Sequence, residues 1–139
     1  MMVTLSDDAR RYIALFGDET EANAVDCLVY DDRIVVLVAA GEMGQAIGPD
    51  GQHVKRVERK IGRAVELVED ADTPEAFVAS ALAPAAVRHV TLSEQDDLVA
   101  YVEVAEDDRG VAIGREGRNI ETARRLAKRH YDIDDIQLT

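Results

Sequence analysis

This sequence contains Gly44-Gln45-Ala46-Ile47-Gly48-Pro49-Asp50-Gly51, and 66 residues later it contains Gly110-Val111-Ala112-Ile113-Gly114-Arg115-Glu116-Gly117. Each stretch ends in Gly-x-x-Gly and lies between two segments whose apolar residues have helical spacing. A tight glycine turn that opens a helix offers unpaired backbone N–H groups to a phosphate. One copy is weak evidence, but two copies in register predict a duplicated nucleic-acid-binding module.

The residues around both turns predict the same order of elements: helix, strand, strand, helix, helix and strand. Ser6 is expected to cap the first helix and Gly17 to end it. The first set of elements is predicted at residues 6–17, 25–30, 33–39, 42–47, 52–61 and 64–68. The second set is predicted at residues 73–82, 86–92, 98–105, 107–113, 118–130 and 134–138. The boundary is placed near Ala71-Asp72-Thr73, which predicts domains at 1–71 and 72–139.

The charge distribution singles out the same segments. The chain has 28 acidic and 16 basic residues and a net charge of −12, which is unusual for a protein that contacts phosphates. Residues 42–64 and 109–130, however, hold 12 of the 16 basic side chains and sum to +2 and +5, whereas the rest of the chain sums to −19. Basic charge is therefore concentrated around the glycine turns, although a solvated helix face is the plainer interpretation of such a run.

Composition also indicates the setting of the protein. The acid-rich chain has only three lysines, as in cytoplasmic proteins of salt-accumulating halophiles. At molar salt the Debye length falls to about 3 Å, so repulsion between an acidic body and RNA would nearly vanish. The chain lacks an apolar run of the ~20 residues that span a bilayer, and Met1 to Asp8 do not read as a signal peptide. We therefore expect a cytoplasmic protein without membrane contact. Cys27, the single cysteine, is expected to be packed.

With these residues in view, the chain resembles the archaeal NusA-like family of tandem KH domains. The Ile-Gly-x-x-Gly turns within the helix–strand–strand–helix–helix–strand order are similar to type II KH domains. The resemblance covers nearly the whole chain. It implies an α+β fold of two such domains, each with a mixed three-stranded sheet packed on helices. It also implies single-stranded RNA binding in transcription termination or antitermination, with RNA polymerase or nascent-transcript complexes as further partners.

The resemblance implies a site in which each loop clamps the backbone of about four nucleotides. Ile47 and Ile113 would anchor the short helices and wall an apolar groove, with Val54 and Ile120 beneath it. The implied RNA-binding residues are Ile47, Gly48, Pro49, Asp50, Gly51, Gln52, His53, Lys55, Ile113, Gly114, Arg115, Glu116, Gly117, Arg118 and Asn119.

The variable pair of each loop departs from a good phosphate clamp. Pro49 removes a backbone donor, Asp50 lacks a basic partner within the loop, and Glu116 offsets the charge of Arg115. We therefore expect the second unit to bind RNA better than the first. Alternatively, at least one of the carboxylates points away from the loop or acts as a cap at the positive helix N-terminus.

Other kinds of site are not indicated. The three histidines are far apart and have no cysteine partners, and the glycine pattern matches neither a P-loop nor a dinucleotide fingerprint. We expect no catalytic residues, metal or cofactor, and a monomer. The alternatives are a tandem-KH role in ribosome assembly or single-stranded DNA binding, an enzyme that holds a phosphorylated small molecule, and a scaffold that contacts proteins through its acidic helices.

Overall fold

The computed structural model describes residues 5–139. The chain divides into two compact units that meet between Asp70 and Ala71. Below, the first unit ends at Asp70 and the second unit begins at Ala71. The predicted first domain and N-terminal stretch both include residues 1–4, which lie outside the described residues.

The first unit contains three helices and three strands. They are α1 (Asp7–Thr20), β1 (Ala24–Val29), β2 (Arg33–Val38), α2 (Met43–Ile47), α3 (Gln52–Ile61) and β3 (Ala64–Glu69). A single 3-10 turn, Pro49–Gly51, joins α2 to α3. As predicted, the Ser6 side chain caps α1 by accepting a hydrogen bond from the Ala9 N–H at 3.1 Å.

The predicted end of α1 at Gly17 is wrong, because the helix continues to Thr20. Gly17 does not have a positive φ, so the freedom of glycine is not used there. The Thr20 hydroxyl donates to the Phe16 carbonyl at 2.7 Å and accepts from the Ala22 N–H at 3.0 Å. These bonds carry the chain through one more turn, and Glu21 ends the helix at φ 60°.

The sheet of the first unit has the order β1-β2-β3. β1 and β2 are antiparallel, and β2 and β3 are parallel with Val36 opposite Leu67. The sheet is therefore mixed, as predicted. Its core joins one face of the sheet to α1 and α3 through fully buried side chains. They include Phe16, Ile34, Val36, Val38 and Val57.

The second unit repeats this order. Its elements are α4 (Pro74–Ala81), β4 (Val87–Glu94), β5 (Leu98–Val104), α5 (Arg109–Ile113), α6 (Arg118–Tyr131) and β6 (Asp135–Leu138). Its sheet has the order β4-β5-β6, again with one antiparallel and one parallel pair. The predicted α+β class with mixed three-stranded sheets is thus confirmed. Among residues 5–139, no helix has both the length and the apolar character to cross a membrane.

The repeat shifts its spacing after the glycine turn. From β2 to that turn, residues 66 apart correspond, so that Val36 and Val102 hold the same place in their sheets. Val36 pairs with Leu67 in the first unit, but Val102 pairs with Leu138 in the second, a spacing of 71. The shift arises mainly because α6 has 14 residues and α3 has 10. About one extra helical turn therefore precedes the closing strand of the second unit.

The end of α1 gives a prediction about stability. Glu21 adopts a left-handed conformation that costs a residue with a Cβ atom roughly 1 kcal/mol, whereas glycine adopts it freely. Glu21→Gly should therefore raise the free energy of unfolding by up to about 1 kcal/mol, measured by guanidinium titration. The control is Ala14→Gly in the middle of the same helix, which should lower it by a similar amount. A stability loss for Glu21→Gly would contradict the prediction.

Candidate nucleic-acid interface

The two glycine loops have the same backbone conformation, residue for residue. Gly48 and Gly114 have φ, ψ of 74°, 172° and 80°, 171°. Asp50 and Glu116 share a left-handed φ of 56°. The second glycine of each loop is left-handed too, at φ 74° for Gly51 and 77° for Gly117. The different residues at the variable positions therefore leave the course of the chain unchanged.

The first glycine of each loop is held against the helix that follows. A Cβ atom on Gly48 would lie 2.5 Å from Cγ of His53, and one on Gly114 would lie 2.7 Å from Cβ and 2.8 Å from N of Asn119. Distances below 3.0 Å do not occur for real Cβ atoms. Only glycine fits here, because both the positive φ and the close approach exclude a side chain.

The side chains at His53 and Asn119 tie the two helices of each site together. Nδ1 of His53 lies 2.7 Å from the Gln45 carbonyl oxygen, which accepts its hydrogen bond. Nδ2 of Asn119 donates to the Ala112 carbonyl at 3.1 Å. Both were predicted to contact RNA, but these atoms bind the main chain of the preceding short helix. The geometry therefore makes them positioning residues for the loop.

The second glycine of each loop is open. A Cβ atom on Gly117 would meet nothing within 4 Å, and one on Gly51 would meet only the end of the Lys55 side chain, at 3.6 Å or beyond. The positive φ explains why glycine stands here, and the space around it remains accessible. A polymer backbone can therefore approach each loop at this point.

The short helices are anchored by alanine and expose isoleucine. Ala46 and Ala112 are fully buried, whereas Ile47 and Ile113 are 39% and 40% exposed. The prediction that the isoleucines anchor these helices is therefore wrong, because the smaller alanines fill the narrow space beneath. Since burial of a large apolar side chain is favourable, an isoleucine held in the open beside each loop offers an apolar contact to a ligand.

A cavity of ≈ 420 Å³ lies beside the second loop. The predicted Ile113, Gly117 and Ile120 line it together with residues that the sequence did not indicate. These are Arg109, Glu121, Arg124, Gln137 and Leu138. They come from α5, α6 and β6, so the cavity is a groove between the helix pair and the edge strand of the sheet.

In each unit a side chain of the helix that follows the loop hydrogen-bonds to the main chain of the closing strand, and we call this bond the latch. The side chain is the donor in one latch and the acceptor in the other. In the second unit Nε and Nη2 of Arg124 donate to the Ile136 carbonyl at 3.1 and 2.9 Å. In the first unit the same helix position is Glu58, which accepts from the Val65 N–H at 2.9 Å. Val65 and Ile136 correspond in strand register. Both latches therefore occupy the outer edge of the sheet.

The variable residues of both loops are exposed. Pro49, Asp50, Arg115 and Glu116 all face solvent. Among residues 5–139, neither loop carboxylate caps the following helix, so the capping alternative is wrong.

The remaining predicted residues follow the loops. Gln52 is exposed, and Arg118 is half-buried and interacts within the protein. Lys55 reaches back from α3, and its Nζ donates to the Asp50 carbonyl at 3.2 Å. The first loop thus has a cation after all, supplied by the helix that follows it.

Other reactive groups do not converge. Burial raises the pKa of the Cys27 thiol to about 12, so it stays protonated within the core. Among the residues that the structure describes, no group of three or more His, Cys, Asp or Glu side chains is placed to share a metal ion.

Comparison with known proteins agrees with this architecture. Residues 74–139 match the family model for a NusA-like second KH domain, so the second unit is a KH domain. The chain is 63% identical over 139 residues to the "Probable transcription termination protein NusA" of Halobacterium salinarum, with all of both chains covered. It is 30% identical to the protein of the same name from Methanocaldococcus jannaschii, covering 98% of this chain and 75% of that one.

Solved structures extend the likeness to three dimensions. The structure titled "Crystal structure of APE1850" aligns with a TM-score of 0.84 at 28% identity, covering 97% of this chain and 100% of that chain. With the full-length relatives, this likeness shows that the chain belongs to the NusA-like family. The resemblance found in the glycine loops is therefore confirmed. The acidic, halophile-like composition is in keeping with the Halobacterium relative.

The two glycines of the second loop should respond differently to alanine. Gly117→Ala should cost about 1 kcal/mol of stability, because only the positive φ opposes it. Gly114→Ala should cost clearly more, since its Cβ atom would also displace Asn119 and loosen the bond to Ala112. Guanidinium titration of both variants measures the difference. Equal losses would show that the close approach to Asn119 does not hold the loop.

Proposed function

We propose that this protein binds single-stranded RNA through two tandem type II KH domains, residues 1–71 and 72–139, and acts in transcription termination or antitermination. The observation that carries the proposal is the identical backbone of the two loops, each with an open second glycine and an exposed isoleucine beside it. The names of the relatives, which are termination proteins, supply the cellular role.

The loop geometry suits a sugar-phosphate backbone. An open glycine with positive φ lets a phosphate approach the main chain without a Cβ clash, and the N–H groups that start the next helix favour a negative ligand. Arg115 is exposed at the second loop and provides a cation for the same phosphate. These contacts position RNA but carry no sequence information by themselves.

The groove supports readout of bases opposite the loop. Ile113 and Ile120 give it apolar walls, and Leu138 of the edge strand lines its other side. The carbonyl that Arg124 binds shows that Ile136 directs its main-chain groups outward from the sheet. In a parallel pair alternate residues face the same neighbour, so Leu138 also directs its N–H and C=O outward, into the groove. A base edge held there meets one donor and one acceptor.

The two sites are unequal in donors. The first loop lacks the N–H that Pro49 cannot provide, and Asp50 adds a negative charge at the exposed tip. The second loop has an N–H and a guanidinium at the corresponding position, Arg115. We therefore assign the tighter phosphate clamp to the second unit.

In this proposal the protein binds its partners and catalyses no reaction. RNA polymerase or nascent-transcript complexes are the proposed partners, with a monomeric protein in the cytoplasm, where transcripts are made. The proposed contacts are reversible hydrogen bonds, ion pairs and apolar burial. Nothing in this function requires a nucleophile, a metal or a cofactor.

The binding test uses a substitution at a position where the structure leaves space for a side chain. Gly117→Asp places a carboxylate in open space at the second loop, so it should weaken binding of short unstructured RNA at molar KCl by about tenfold or more. Fluorescence anisotropy measures the affinity. The double variant Gly114→Asp plus Gly117→Asp should bind no better than Gly117→Asp, but its first change also disturbs Asn119.

The matched control is Gln95→Asp, which adds the same charge on the exposed turn between β4 and β5. It should leave RNA affinity unchanged. If Gly117→Asp bound RNA as tightly as Gln95→Asp, the second loop would not be the site. Competition between RNA and DNA oligomers of the same sequence then tests the nucleic acid, and a preference for DNA would favour the single-stranded DNA alternative.

A further inference from the structure

The basic side chains of the first unit fall into two groups. Five of its eight basic side chains lie within 4.0 Å of a carboxylate, and three do not. The five are Arg10, Arg11, Arg33, Arg56 and Lys60. The other three are Lys55, Arg59 and Arg63, for which no ion pair is found among residues 5–139. In a chain with 28 acidic residues, three cations kept apart from carboxylates require an explanation.

These three cations form a row on one face of α3 and at its end. Lys55 and Arg59 are four residues apart, which on a helix places them about 6 Å apart on the same side, and Arg63 follows Gly62, at which α3 ends. All three line one cavity of ≈ 490 Å³ that is bounded by Gly62, Ala64 and Asp32. The row is therefore a single surface, which we call the α3 cation row.

The row begins at the glycine loop. Nζ of Lys55 donates to the Asp50 carbonyl, and its Cε lies 3.6 Å from the place of a Cβ atom on Gly51. At the far end Nη1 of Arg63 donates to the Tyr30 carbonyl at 3.1 Å, which fixes the guanidinium. Arg59 lies between them and is exposed. The cations thus lead away from the loop along the helix.

The carboxylates near the row are already engaged. Glu58 accepts a hydrogen bond from the Val65 N–H, and Oδ1 of Asp32 lies 3.5 Å from Nη1 of Arg33. The cations on the neighbouring face of α3, Arg56 and Lys60, bind Glu19. The hydrogen bond from Lys60 holds the pKa of Glu19 below its usual range, so this pair stays ionised and unavailable to a ligand.

The second unit repeats only part of the row. At the spacing of 66 residues Arg59 and Arg63 correspond to Arg125 and Arg129 of α6, which both interact within the protein, but the position next to the loop differs. The position of Lys55 is taken by Glu121, whose carboxylate is 2.5 Å from Nη1 of Arg124. A row of phosphates leaving the second loop along α6 would meet this negative charge first. A row that begins with a cation beside the loop is thus a property of the first unit, where the loop itself has fewer donors.

We propose that the α3 cation row is a second phosphate-binding surface, which holds the backbone of single-stranded RNA after it leaves the first glycine loop. This inference rests on the proposed function and deepens it. The spacing of the row suits successive phosphates, and its Lys and Arg side chains are the usual phosphate partners. In the first unit the row supplies the contacts that Pro49 and Asp50 withhold.

The test compares RNA lengths in the full chain. A loop holds about four nucleotides, so an oligoribonucleotide of that length occupies the groove, whereas one of about ten also reaches the row. Arg59→Gln should weaken binding of the longer RNA by about threefold to tenfold and the shorter RNA much less. It should also reduce the slope of log affinity against log salt by about 0.7, one single-strand phosphate contact. Arg59→Lys should keep most of the affinity.

Two further variants separate the possible results. Arg10→Gln removes an exposed cation from α1 and should leave the affinity for both the shorter and the longer RNA unchanged. In a Gly51→Asp background, which closes the first loop, Arg59→Gln should lose its effect, because the row acts on RNA that the loop delivers. Equal effects of Arg59→Gln and Arg10→Gln, or equal losses at both lengths, would overturn the inference and leave the proposed function intact. If the unmodified chain bound neither RNA, both would fail.

Discussion

Each site depends on one close contact, between the first glycine of the loop and the second residue of the helix that follows. Gly48 lies against His53 and Gly114 against Asn119, at distances that leave no space for a Cβ atom. Those two side chains also bind carbonyls of the preceding short helix. The contact thus fixes the angle between two helices, and this angle directs the isoleucine and the second glycine outward. A histidine and an asparagine perform the same task because each offers a ring or amide N–H at the same reach.

The sequence predicted the elements and the glycine turns because these depend on local chemistry. Positive φ at the loop glycines and helical spacing of apolar residues are set by neighbours a few positions away. The end of α1 was missed because Thr20, rather than Gly17, makes the terminal hydrogen bonds. Glycine alone does not end a helix when the chain beyond it can stay hydrogen-bonded.

The groove was only half predictable. Its loop side is contiguous in sequence, but Leu138 and Arg124 join it through strand pairing, and the extra turn of α6 shifts that register from 66 to 71. A constant spacing of 66 residues would have assigned the wrong residues of the closing strand to the groove. Asn119 was predicted only as an RNA contact for a related reason: its bond to the Ala112 carbonyl depends on how the two helices pack, which the sequence does not give. Which basic side chains of the first unit pair with carboxylates likewise depends on distances that the sequence does not give.

For binding, it matters more which basic side chains are paired with carboxylates than how many basic side chains the protein has. Most lysines and arginines of the first unit are held by carboxylates and contribute little to the field around it. At molar salt long-range attraction is screened within about 3 Å, so an acidic body does not prevent contact with a polyanion. Recognition under such conditions depends on groups that touch the ligand directly, which favours open glycine amides, apolar walls and a few unpaired cations.

The opposite latches also bear on how a duplicated chain assembles correctly. Two similar halves risk exchanging their closing strands during folding, because both strands are short and pair in the same direction. Here an exchange would break both latches, because the Glu58 carboxylate accepts from the Val65 N–H, whereas the Arg124 guanidinium donates to the Ile136 carbonyl. An exchanged strand would have to replace both bonds with others, so each latch favours the strand of its own half. Divergence at this pair of positions thus gives the two halves different marks by which a helix and its strand match.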